Sequence, residues 1–116
     1  MPMTYLRQAI KTELPSMNVP GVSAFLKDVF VSKDAEKTIV CGFYRMEKGK
    51  PLEYDYTYHE MKIIVEGEIW ITDETGKQAK ATVGDVFYFE KGSHIRFESP
   101  SYGIGFFCGQ RKEGEA

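Results

Sequence analysis

The chain has 116 residues, 42% of them hydrophobic and 28% charged, with a formal net charge of −2. A single domain of this length buries roughly two-thirds of the surface its unfolded chain exposes. Lys and Arg are scattered rather than gathered into a basic stripe, which argues against nucleic acid as a partner. No apolar stretch approaches the ~20 residues that cross a bilayer, and no basic-then-apolar leader is visible, so a cytoplasmic protein away from membranes is expected. Cys41 and Cys108 are too few and too far apart for a metal knuckle or a disulfide scaffold, and are expected as small, reduced fillers of strand positions.

In chain order, Tyr5, Leu6, Ala9, Ile10 and Leu14 share one helical face, with Thr4 as N-cap and Pro15 as stop. This predicts a short helix within residues 1–17, packed on the outside. A turn at 18–21 follows. Strands are then expected at 22–30 and 38–46, each closed by a charged or Gly-bearing turn. A central pair at about 56–65 and 68–72 leads through a hairpin turn at 73–77 to strands at 79–82, 86–89, 95–98 and 102–108. Eight or nine short strands without an internal helix mean an all-β sandwich or barrel over residues 22–109, with a polar tail at 110–116 expected to fray.

The most informative stretch is 53–68. Its second half, a β-branched run closed by Glu66-Gly67-Glu68, reads as strand, tight glycine turn, strand. Its first half alternates. With a period of two, Tyr54, Tyr56, Tyr58, Glu60 and Lys62 share one face, while Asp55, Thr57, His59, Met61 and Ile63 take the other. Three phenols, a carboxylate and an ammonium in one row suit a pocket better than a plain core.

Glu60 followed after six residues by Gly67, and later Gly84-Asp85-Val86 running through Gly92-Ser93-His94, resemble the two sequence motifs of the cupin superfamily. The resemblance covers about residues 38–109 and implies a cupin-type jelly-roll β-barrel, preceded here by the short N-terminal helix. The departures concern the metal. The histidine pair of the first motif falls on Tyr54 and Tyr56, or on Glu53 and Asp55 in the alternative spacing, and the histidine of the second motif falls on Ile95. One carboxylate, Glu60, is left, and transition-metal sites need three or four N, O or S ligands. His59 and His94 lie one residue out of register and are expected to face outward. The expectation is no metal and no cofactor.

Among cupins, Tyr58-His59-Glu60, Val65-Glu66-Gly67-Glu68 and Lys91-Gly92-Ser93 make the chain most similar to the ethanolamine-utilisation EutQ type. That resemblance implies a homodimer and a pocket lined by acidic and phenolic residues, and an acetate-kinase activity has been attributed to some members. Lys62 departs from it, since the group tends to be acidic there. No Gly-rich phosphate loop is visible.

Without a metal, Glu60 is the candidate general base for taking a proton next to a carbonyl, with Tyr58 or Lys62 stabilising the enolate or returning the proton. A Schiff base at Lys62 has less support. Tyr54 and Tyr56 would bind substrate, Arg45 would reach the pocket mouth to hold a carboxylate, and Phe87, Phe89, Ile95, Phe97, Phe106 and Cys108 would form an apolar wall. The plain alternative is a Glu60–Lys62 ion pair among core aromatics. Two functions follow: an acid–base isomerase, cyclase or lyase acting on a small carbonyl compound, or a non-catalytic small-molecule-binding or accessory cupin. A pocket with room for a ligand favours either, and a barrel filled by side chains speaks against both.

Overall fold

The computed structural model describes residues 2–116. Eight antiparallel strands follow one another: β1 (Ala24–Val31), β2 (Val40–Glu47), β3 (Leu52–Asp55), β4 (Glu60–Thr72), β5 (Gln78–Thr82), β6 (Val86–Phe89), β7 (His94–Glu98) and β8 (Tyr102–Gly109). They form one curled sheet in the order β1-β2-β8-β4-β7-β3, with β5 and β6 also paired to β4. This is the all-β jelly-roll architecture expected from the sequence. The N-terminal helix is not there: residues 9–11 make a single 3-10 turn and none of them is buried. The apolar positions counted as its inner face, Tyr5, Leu6 and Ile10, are exposed, so no packing supported a helix too short to hold in water alone. No helix among the described residues is long and apolar enough to cross a membrane.

The expected turn at Gly67 is also absent. Residues 60–72 are one continuous strand that serves both walls of the barrel. Its first half pairs with β6 and β8, and its second half with β5 and β7. The direction changes at a bulge between Ile64 and Glu66, followed by Gly67 at φ +67°. A Cβ on Gly67 would lie 2.3 Å from the Tyr102 carbonyl oxygen, so glycine is needed both for the backbone conformation and for the close approach of β8.

The alternation of residues 52–62 survives intact. Leu52, Tyr56, Tyr58, Glu60 and Lys62 are buried, Tyr54 is half-buried, and the residues between them are exposed. The backbone carrying this alternation is not a single strand, however, because β3 ends at Asp55 and residues 56–59 bridge to β4. The core gathers on the concave side around Met46, Ile64, Ile69, Phe97 and Phe107. The tail at 110–116, expected to fray, is instead tied down. Both guanidinium NH2 groups of Arg111 donate to the Asp28 carboxylate, at 2.8 and 3.0 Å, and the Gly114 amide donates to it at 2.8 Å.

Candidate functional site

The row of polar side chains meets inside the barrel. Tyr56 donates its hydroxyl to Glu60 Oε2 at 2.5 Å, and Lys62 Nζ lies 3.6 Å from the same oxygen. Glu60 and Lys62 are each only 4% exposed. The Lys62 ammonium lies against the neighbouring rings of Tyr44 and Phe97, at 4.4 and 4.3 Å, with Phe89 at 5.7 Å. Aromatic faces attract a cation but do not replace its water. Burial therefore pulls the Lys62 pKa down, against the opposing pull of the Glu60 charge. Burial acts in the other direction on the phenols, and the Glu60 charge adds to it, so Tyr56 and Tyr58 are held well above the usual tyrosine range. At neutral pH they are hydrogen-bond donors, not phenolates.

Towards the mouth, the Tyr54 and Tyr58 hydroxyls are hydrogen-bonded at 2.8 Å. The three tyrosine rings meet edge to face, with centroids 4.8 to 6.4 Å apart. Between these rings and the Glu60–Lys62 pair lies a cavity of about 20 Å³, room for about one water. Its lining is mostly apolar, with Met17, Leu26, Leu52, Phe97 and Phe107 beside the tyrosines, and it is nearly full. That speaks against a ligand in the chamber as it stands, because the space must widen before anything larger than a water fits.

The apolar wall divides. Phe97 lines the chamber with Tyr44 and Phe107. Phe87, Phe89 and Ile95 line a separate open groove of about 230 Å³, rimmed by Asp73, Glu74, Lys77 and Ser93. Phe89 stands between the two spaces, stacked on Tyr56 at 5.1 Å. Phe106 does not belong to the wall. It is half-buried on the outer side against Phe43, and the interior position belongs to its neighbour Phe107. Gly103, Gly105 and Gly109 share the inward phase with Phe107, and they are small because the Lys62 stem crosses Gly105 and the Tyr58 ring covers Gly109. That glycine phase was the signal available in the sequence.

Arg45 is a second correction. It pairs with Glu47 at 2.9 Å and lies 4.4 Å over the Tyr102 ring, beside an outer groove with Ile10 and Phe25. Counting back from β2, Tyr44 and Met46 point inward, which forces Arg45 out. Sequence reasoning also missed Tyr44 and Arg111. The latter is buried beneath the mouth, 5.4 Å over the Tyr58 ring.

His59 and His94 both face outward. His59 Nδ1 lies 3.2 Å from the Tyr88 hydroxyl and accepts from the Lys91 amide at 3.1 Å, whereas His94 is clasped between Asp55 and Glu53. A metal in a barrel of this type would be held at the positions of Tyr54, Tyr56, Glu60 and Ile95. Protonated phenols, one carboxylate already shared by Tyr56 and Lys62, and a hydrocarbon do not fit such an ion. Among the described residues, no group of three or more His, Cys, Asp or Glu side chains is placed to hold one.

Comparison with known proteins decides the family. Residues 8–108 match the family described as Ethanolamine utilisation protein EutQ. The chain belongs to the EutQ family. Its EutQ core is 28% identical over 85 residues to a Clostridioides difficile (strain 630) protein named Acetate kinase EutQ, covering 72% of this chain and 51% of the relative. This EutQ chain thus spans about half the length of that relative. The solved Clostridium difficile EutQ structure superposes with a TM-score of 0.77 at 19% identity, over 91% of this chain and 79% of that one. A putative ethanolamine utilization protein from Salmonella typhimurium LT2 gives 0.66 at 25% identity, over 76% and 69%.

Proposed function

We propose that this EutQ-family chain is a metal-independent cupin that admits a small carbonyl- or carboxylate-bearing molecule to its barrel and acts on it by acid–base chemistry. The observation that carries this reading is the buried Tyr56–Glu60–Lys62 trio, in which one carboxylate oxygen meets a phenol and an ammonium within 3.6 Å. Glu60 takes the proton. Lys62, its charge weakened by burial, and the protonated Tyr58 supply the stabilising and returning protons for an isomerase-, cyclase- or lyase-type step. The Clostridioides difficile relative carries a two-carbon carboxylate in its name, which supports a small acid as the ligand class. The reading includes a cytoplasmic homodimer. Its twin would cover the outer face where Ile39, Met61, Val86 and Tyr88 are exposed.

The test is turnover of a panel of small oxo acids, enolisable ketones and acetate by Glu60→Gln. A loss of about 10²–10⁴-fold with the fold and ligand binding retained is expected. The closed chamber, with about 20 Å³ of free space, must widen for a ligand in either role, and the second reading is a non-catalytic cupin that binds its ligand without turning it over. In that case Glu60→Gln leaves function unchanged, and affinity for any ligand follows Phe97→Ala.

A further inference from the structure

We propose that residues 110–116 are a latched strap across the barrel mouth, and that Asp28 with Arg111 governs access to the Glu60–Lys62 chamber. This rests on the barrel interior being the working site, as proposed above. The strap is anchored at one carboxylate. Asp28 on β1 accepts from both NH2 groups of Arg111 and from the Gly114 amide, three donors from a tail that is otherwise exposed. Arg111 itself is 4% exposed, and its Nε is buried without a partner. A buried guanidinium with an unused donor is held in place by its ion pair rather than by a full set of hydrogen bonds.

From the latch, contacts lead directly to the gate. The Arg111 guanidinium lies 5.4 Å over the Tyr58 ring and 5.5 Å over Phe107. The Tyr58 hydroxyl meets that of Tyr54 at 2.8 Å, and both phenols line the chamber. Ala116 lines the same chamber together with Met17 and Leu26. Release of Arg111 from Asp28 removes the cation from the Tyr58 ring and the strap from the opening together. The two tyrosines can then swing out and widen a space that otherwise admits about one water.

The reporter is Lys62, a buried amine inside the chamber, read as its rate of acetylation by acetic anhydride followed by peptide mass spectrometry. Two variants open the strap by different means. Asp28→Asn removes the acceptor charge on the barrel side. Gly114→Pro acts on the tail alone, since Gly114 sits at φ +78° with open space around it and its N–H is one of the three donors. Folding of each is checked by near-ultraviolet circular dichroism. Acetylation of Lys62 at least tenfold faster in both, with the circular dichroism spectrum preserved, is the expected result. Rates within twofold of the parent in both variants would overturn the strap. The readout needs no substrate, so loss of the strap and loss of the acid–base reading, tested by Glu60→Gln, are separate outcomes.

Discussion

Tyr56 and Glu60 share the shortest hydrogen bond inside the barrel, 2.5 Å from hydroxyl to Oε2, and the Lys62 ammonium lies 3.6 Å from that same oxygen. One carboxylate oxygen therefore accepts a hydrogen bond and faces an ammonium in a space with room for about one water. Removing one donor tests how much each contributes. Tyr56→Phe keeps the ring stacked on Phe89 and deletes only the hydrogen bond to a charged acceptor. A loss of about 1.5–3 kcal/mol is expected, measured by urea denaturation at neutral pH. A value near zero would mean that the hydroxyl does not serve the carboxylate.

Lys62→Met leaves the Glu60 charge buried with only a phenol as partner. Breaking one side of a buried pair costs about 3–5 kcal/mol, whereas replacing both sides by apolar groups of similar volume is often neutral. The single variant is expected to be strongly destabilised, and Glu60→Leu/Lys62→Met to recover most of the loss. The measurement is a double-mutant cycle by chemical denaturation. Additive losses would show that Glu60 and Lys62 stand independently.

The row from Tyr54 to Lys62 was legible in the sequence because burial alternates with period two whether the backbone is a strand or the bridge at 56–59. The strands were legible for the same reason. What escaped was decided by contacts between distant segments. Gly67 reads as a turn, yet it marks the bend of one long strand because β8 crosses it at backbone distance. Alternation along β8 offers two phases, and the inward one is that of Phe107 with Gly105 and Gly109, where the crowding of Lys62 and Tyr58 selects glycine, and not that of Phe106. Nothing local to residues 110–116 announces that Asp28, more than eighty positions earlier, holds them.

The Gly67 bend makes its own prediction. In Gly67→Ala the residue must keep φ near +67° while its Cβ meets the Tyr102 carbonyl oxygen, a backbone atom that cannot turn away. The dihedral alone costs on the order of 1–3 kcal/mol. A thermal melt is expected to show a clear loss, larger than that of Gly76→Ala, where a Cβ would meet open space in the hairpin turn at similarly positive φ. Equal losses would mean that the close approach to β8 contributes nothing.

His94 sits between two carboxylates, with Nδ1 2.6 Å from Asp55 and Nε2 2.7 Å from Glu53. Both ring nitrogens face acceptors, which favours the imidazolium. The hydrogen bond to Asp55 first, and that to Glu53 second, raise its pKa above the ordinary value of 6.5. A group with a raised folded pKa gives stability that is complete below its unfolded value and is lost as pH rises through the folded one. The clasp between β3 and β7 thus loosens on the alkaline side. NMR titration of the His94 ring is expected to give a midpoint above 6.5, falling back towards it in Asp55→Asn. An unchanged midpoint in that variant would remove Asp55 as the main cause.

Asp28 carries the opposite sign. Burial raises its pKa, but the hydrogen bonds from Arg111 and the Gly114 amide, with the charges of Arg111 and Lys27, outweigh that and hold it below the ordinary 3.8. Asp28 in turn adds to the raised pKa of the Tyr54 phenol, which burial pushes up first, so that Tyr54 stays neutral. A group with a depressed folded pKa gives stability that is present above its unfolded value and is lost as pH falls through the folded one. The tail contacts should therefore persist at about pH 4, where an unfolded aspartate is already half protonated, and be lost only on further acidification. The Gly114 amide resonance reports this directly, because its acceptor is the Asp28 carboxylate at 2.8 Å. Its shift is expected to titrate with a midpoint below 3.8 in the parent chain, and the titration should vanish in Asp28→Asn. A midpoint at or above the ordinary value would show that Arg111 does not hold the carboxylate in solution.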